Sequence, residues 1–148
     1  MIAVVIPTIR HLDQWLEAWK PQFDRPEVQL YVIEDRDEKM LKLPNGIKHY
    51  CRADIKNDLG ENAWIISNFN SGIRSYGFLK AWQDGAKVIY TLDDDCYPLK
   101  GNELKVHLSN LDRTEDANWK STLGEGYPRG FPYQIRKQGK FVLSHGLS

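Results

Sequence analysis

The chain reads as an α/β protein, an open and mostly parallel sheet with helices on both faces. Two observations carry this reading. Short apolar runs suited to buried strands alternate with stretches of helical periodicity, and the connections between them are brief, so that consecutive elements can pack as β-α-β units. A third feature bears on function. Each apolar run stops at polar residues, and sheets of this type bind ligands beyond the carboxyl ends of their strands.

Ile2 to Ile6 is a continuous apolar run, as a buried parallel strand requires, and Pro7 is expected to end it. Residues 11 to 20 then place Leu12, Trp15, Leu16 and Trp19 at helical spacing. Val28 to Ile33 predicts a second strand, closing on Glu34 and Asp35. A polar connection with a Pro44-Asn45-Gly46 turn follows, and Ile55, Leu59 and Trp64 to Ile66 suggest short helical pieces. From Asn68 a longer helix is predicted, with Phe69, Ile73, Tyr76 and Leu79 on one side and Gly85 at its C-terminal stop. Val88 to Leu92 is the third predicted strand. The sets Pro7-Thr8-Ile9-Arg10, Glu34-Asp35 and Asp93-Asp94-Asp95 then share one rim. Beyond them, Leu104, His107, Leu108 and Leu111 predict an amphipathic helix, and the remainder is rich in glycine, aromatics and short β-like runs. Trp15, Trp19, Trp64 and Trp82 are expected in the core. With no repeat, low-complexity tract or long linker, residues 1–148 are expected to form one domain.

Composition narrows the function classes. Twenty basic residues balance twenty acidic ones among 148, which gives no bulk electrostatic reason to expect nucleic acid or an anionic membrane as partner. No stretch approaches the roughly 20 apolar residues of a membrane span. The start of the chain lacks the basic and cleavage regions of a signal peptide. The two cysteines, Cys51 and Cys96, match neither a disulfide scaffold nor a zinc site. A cytoplasmic protein with reduced thiols is the expectation.

The segment VIYTLDDDC, residues 88 to 96, is the most informative in the chain. Three adjacent carboxylates repel one another, and a divalent cation resolves the conflict. Hard cations such as Mg²⁺ and Mn²⁺ take one or two carboxylates together with phosphate oxygens of a substrate. In an extended segment alternate residues point the same way, so Asp93 and Asp95 converge while Asp94 faces elsewhere. The plain alternative is a solvated acidic turn that closes a strand.

Seven segments carry a resemblance. IAVVIPTIR, VIEDRD, YCRADIKNDLG, the helix with Arg74 and Gly77, TLDDDC, RGFPYQIR at 129 to 136 and SHGL at 144 to 147 occur in an order similar to that of the reversibly glycosylated polypeptides, also known as UDP-arabinopyranose mutases. The match covers essentially the whole chain. It implies a GT-A type, Rossmann-like fold, binding of a UDP-sugar through Mn²⁺ or Mg²⁺, and self-glycosylation at an arginine that falls on Arg129. Two departures stand out: a shorter stretch between Leu123 and Arg129, and Ser148 where the family has Trp. Family members also continue beyond SHGL with a segment that helps build the acceptor side of the cleft; an oligomer or a partner subunit is an open alternative.

Roles follow for individual side chains. Asp95 is expected to ligate the metal, with Asp93 reaching metal or ribose and His145 completing the shell. Asp94 is placed against the sugar or a base. Arg129 and Arg136 offer guanidinium forks for phosphate or carboxylate; surface charges or ion pairs to the Asp cluster are their alternative. Because a guanidinium stays protonated, a sugar-accepting Arg129 requires a neighbouring carboxylate. Pro7, Thr8 and Arg10 are placed at the nucleotide, and Asp35 at uracil N3 or the ribose; a helix cap for Thr8 and an acidic loop for Asp35 are the plain alternatives. Arg52 and Asp54 either pair with each other or touch the base. His145 has the alternative of a hydrogen-bonded residue at a strand end.

The function expected is transfer of a sugar from a metal-bound UDP-sugar to an unknown acceptor or to the protein itself, mutase activity included. A nucleotide-sugar-binding or regulatory subunit without turnover is the alternative. Metal-dependent phosphoryl transfer stands third, because no Walker-type glycine loop accompanies the acids.

Overall fold

The structure, a computed structural model, describes residues 1–111 and the strands at 119–121 and 142–144. The chain packs as two compact units, Met1–Gly101 and Asn102–Ser148. In the first, β1 (Ile2–Thr8), β2 (Val28–Glu34), β3 (Lys48–Cys51) and β4 (Val88–Thr91) form a parallel sheet in the order β3-β2-β1-β4. The register runs from Ile2↔Val28 to Thr8↔Glu34 on one side of β1, and from Ile2↔Val88 to Val5↔Thr91 on the other. The α/β class and the parallel sheet agree with the sequence reading. The strand count does not, since β3 was missed. Lys48-His49-Tyr50-Cys51 has no apolar run; it is an edge strand held by backbone pairing to β2.

Helices cover both faces. On one lies α1 (Asp13–Phe23), whose Trp15, Trp19 and Phe23 are buried. Trp19 stacks on Phe23 at 4.8 Å, and both meet Tyr90 of β4 edge-on at 6.4 Å. The other face pairs Ala3, Val5, Tyr31 and Ile33 with Ile55 of α2 (Arg52–Leu59) and with Tyr76 and Ala81 of α3 (Arg74–Gln83). This division follows from the period of two along β1 and β2. Gly77 sets the approach of α3. A Cβ there would lie 2.5 Å from Val5 Cγ1 and 3.0 Å from Ile33 Cγ1. An interior glycine costs a helix about 1 kcal/mol, whereas each fully buried apolar side chain contributes about 1.5–3 kcal/mol. Packing therefore holds α3 in place.

Several boundaries differ from expectation for identifiable reasons. Pro7 does not end β1. Thr8 O accepts from Asp35 N on the β2 side, while Val5 O accepts from Leu92 N on the β4 side. Odd residues of β1 thus face β4, which has ended by Pro7, and the missing N–H removes no ladder bond. The helix expected from Asn68 starts only at Arg74, after a 3₁₀ turn at Ser71–Ile73. Phe69 is off that helix, 82% exposed, with φ 60°. Gly85, with φ 79°, does close the helix, its N–H bonded to Trp82 O. Trp64 and Trp82 are exposed rather than in the core. Trp64 sits in a 3₁₀ turn, Gly60–Ile65, that buries no side chain, and Trp82 follows the sheet-facing Ala81 onto the solvent side.

The second unit contains α4 (Glu103–Leu111), where an amphipathic helix was expected, with Leu104 buried. Its two described strands, β5 (Trp119–Ser121) and β6 (Val142–Ser144), pair antiparallel with Trp119 opposite Ser144.

Candidate nucleotide-sugar site

Strand order places the site. From β1 the chain winds outward through β2 and β3, then returns to the opposite side of β1 as β4. The crevice at such a reversal, beyond the carboxyl ends of the strands, is where open α/β sheets bind ligands. A cavity of about 670 Å³ lies at this rim, within the range of small-molecule sites. Three guanidinium groups, of Arg10, Arg36 and Arg52, and four carboxylates, of Asp35, Asp93, Asp94 and Asp95, line it together with Pro7, Thr8 and Phe69.

The ends of β1 and β4 are tied directly. Thr8 Oγ1 donates to Asp94 Oδ2 at 2.7 Å and accepts from Arg10 N at 2.9 Å. Arg10 Nη1 lies 2.8 Å from Asp94 Oδ1 and 3.6 Å from Asp95 Oδ2. Thr8 therefore closes a local turn, and Leu12 rather than Thr8 stands at the cap position of α1. The acidic triplet is not extended. Cys96 N bonds to Asp93 O, so residues 93 to 96 form a turn. That turn, not strand alternation, brings ligand atoms of Asp93, Asp95 and Cys96 within 4.8 Å of one another. Two carboxylates suit a hard divalent cation with phosphate oxygens filling the remaining positions; the Cys96 sulfur is a softer donor. Trp19 Nε1 anchors the turn from beneath through Cys96 O at 2.9 Å.

Arg74 holds Asp93. Its guanidinium donates to Asp93 Oδ1, to Thr91 Oγ1 at 3.0 Å and to Ser71 O at 2.9 Å. Sequence reasoning gave no role to Arg74, Arg36, Phe69 or Cys96. A topological signal for Arg74 existed: a crossover helix runs against its strands, so its first residue falls at their carboxyl rim.

The rim at β2 divides sharply. Glu34, expected to share the rim, is fully buried and accepts from Met40 N, Leu41 N and His49 Nε2, stapling the connection to β3. Asp35 faces Arg52, with Oδ1 3.7 Å from Nε, and Arg52 Nη2 lies 3.4 Å from Asp37. Both Asp35 Oδ1 and Arg52 Nε are buried without a hydrogen bond. Asp54 pairs with Lys39 at 3.1 Å instead of Arg52 and does not line the cavity. It caps α2, accepting from Cys51 N at 2.8 Å. Burial pushes its carboxyl up, but the Cys51 N–H and Lys39 outweigh this and hold it below its ordinary range. The structure brings Pro7, Thr8, Arg10, Asp35, Arg52 and Asp93–Asp95 to one cavity. Arg129, Arg136 and His145 lie outside the described residues.

Fold and cavity together define an α/β protein of Rossmann-like type with a charged crevice at the strand ends. The profile of the reversibly glycosylated polypeptide family matches residues 1–148, and the chain belongs to that family. It is 36% identical to "Probable UDP-arabinopyranose mutase 1" of Pisum sativum, over 97% of this chain and 42% of that protein. With "UDP-arabinopyranose mutase 3" of Arabidopsis thaliana and "UDP-arabinopyranose mutase 1" of Oryza sativa subsp. japonica the identity is 35% over the same shares. The chain thus spans less than half the length of these relatives. No helix among the described residues is long and apolar enough to cross a membrane.

Proposed function

We propose that this chain binds a UDP-sugar through Mn²⁺ or Mg²⁺ in a GT-A-like domain and passes the sugar to an acceptor or to itself. UDP-sugar mutase activity is the form that the relatives' names suggest. The observation that supports this most is that the β1 rim, Asp35 and the Asp93–Asp95 turn line one cavity. Asp93 and Asp95 hold the cation, and Arg74 keeps Asp93 in place for it. A divalent cation held by these carboxylates would supply positive charge for a diphosphate leaving group. Thr8 and Arg10 face the nucleotide, Asp35 and Arg52 form the end distant from the carboxylate turn, and Asp94 orients the rim through Thr8. By resemblance Arg129 accepts sugar; the guanidinium fork of Arg136 suits an anionic group, and the imidazole of His145 would join the metal shell. The free thiols, Cys51 buried and Cys96 exposed, support a reducing cytoplasmic setting.

Calorimetry with UDP tests the reading. Binding should be much tighter with Mn²⁺ than with chelator, and Asp95→Asn should erase the difference while Asp94→Asn preserves it. Equal affinity with and without metal overturns the metal-bridged site. Binding of UDP-sugar with neither transfer nor hydrolysis would move the chain to a nucleotide-sugar-binding module without turnover.

A further inference from the structure

Phe69 combines three properties that rarely coincide. Its φ of 60° lies in the left-handed region, where a bulky side chain is strained. Its ring is 82% exposed, so burial does not compensate the strain. And it lines the cavity, with the Arg52 guanidinium carbon 4.4 Å from its ring centroid. Backbone strain of this kind persists where the surroundings over-determine it, and it concentrates at ligand sites.

The support beneath the ring is continuous. Asp35 and Asp37 flank Arg52 at 3.7 and 3.4 Å, and the guanidinium in turn sits under Phe69 in a cation–π contact. Arg52 is itself largely buried, its side chain only 13% exposed. The ring is thereby fixed from below and open above. Most of the other lining residues are polar or charged, and the carboxylate turn suited to a metal-bound diphosphate follows β4 rather than β2.

We infer that Phe69 is the stacking platform for the nucleobase, taking a planar heteroaromatic ring on the face turned away from Arg52. The inference rests on the proposed nucleotide reading and adds to it the residue that grips the base. Every base presents a π-face, so the platform supplies affinity, while polar groups around it select the base. The guanidinium on the far side holds the ring in place.

The test compares UDP with inorganic pyrophosphate, each with Mn²⁺, by calorimetry. Phe69→Ala should weaken UDP binding about 5- to 150-fold, the range that base–aromatic stacking spans, and leave pyrophosphate binding unchanged. Phe69→Trp should retain UDP affinity. Unchanged UDP affinity in Phe69→Ala overturns the inference and leaves the proposed function standing. A parallel loss for pyrophosphate also overturns it, because the change would then act on the whole cavity. If the wild-type chain bound pyrophosphate but gained nothing from the uridine of UDP, the nucleotide reading would fall and the platform with it.

Discussion

Thr8 Oγ1 lies 2.7 Å from Asp94 Oδ2, a hydrogen bond that joins the ends of β1 and β4 across 86 residues of sequence. The same hydroxyl accepts from Arg10 N, so one side chain fixes both the β1 turn and the acidic turn. Thr8→Val keeps the shape and removes both bonds. A carboxylate already short of solvent then loses a donor, for which the expected cost is about 1–3 kcal/mol. Urea unfolding gives the number. A double-mutant cycle with Asp94→Asn should show coupling above about 0.5 kcal/mol; strict additivity would mean that the contact contributes nothing.

Gly77 makes a second prediction about the same sheet. Any Cβ at this position meets Val5 and Ile33, both on central strands. Gly77→Ala should gain helical propensity of about 1 kcal/mol and lose about 1–3 kcal/mol to overpacking, with larger side chains worse. A lowered midpoint for Ala and a further drop for Val are expected in thermal unfolding. A stabilised Gly77→Ala would show that α3 can move away from the sheet without loss.

The acceptor prediction rests on the RGFPYQIR segment. Incubation with UDP-sugar and Mn²⁺ should add one sugar mass to the chain, and Arg129→Lys should abolish labelling while largely sparing UDP affinity, which the carboxylate turn and the β1 rim supply. Intact mass spectrometry decides. No added pentose or hexose with any common UDP-sugar would sink self-glycosylation; label retained in Arg129→Lys would show that the acceptor lies elsewhere.

The parallel sheet and its rim were legible because buried strands announce themselves by apolar runs and because parallel topology forces their carboxyl ends together. Thr8, Arg10, Asp35 and the Asp triplet followed from that rule; Arg52 did not, because it stands at the end of the strand that was missed. Lys48–Cys51 was not legible, since an edge strand is held by backbone pairing and carries no hydrophobic signature. Asp54 was misjudged for a different reason: its partner Lys39 comes from the connection before β3, and its bond to Cys51 N is a capping interaction that pairs positions three apart. Phe69 shows the limit most clearly. Its spacing with Ile73 and Tyr76 fits a helix face, yet the helix starts only at Arg74, and nothing in a periodicity marks a residue held at positive φ.

Two tyrosine–aspartate pairs contribute to the pH dependence of the fold. Tyr31 donates to Asp84 at 2.7 Å, with Lys48 on the same oxygen at 2.6 Å; Tyr76 donates to Asp58 at 2.9 Å, with Lys80 at 3.2 Å. Lys48 and then Tyr31 hold the Asp84 carboxyl below its ordinary 3.8, while for Asp58 the Tyr76 hydroxyl acts first and Lys80 second. A carboxyl depressed in the folded state contributes stability above its unfolded value, and loses it as pH falls through the folded value. The acid arm should therefore begin just below pH 4. Both tyrosines are raised above 10.0, by burial first and the aspartate hydrogen bond second. Their contribution is complete below pH 10 and is lost as pH rises through the folded values, which gives the alkaline arm. The variants separate the causes. Tyr31→Phe should remove part of the alkaline arm and leave most of the acid arm, because Lys48 still holds Asp84. Tyr76→Phe should weaken both arms, because the hydroxyl is the main support of Asp58. Urea unfolding across pH 2 to 11 reads both, and identical acid arms for the two variants would show that the ranking of tyrosine and lysine at these carboxylates is wrong.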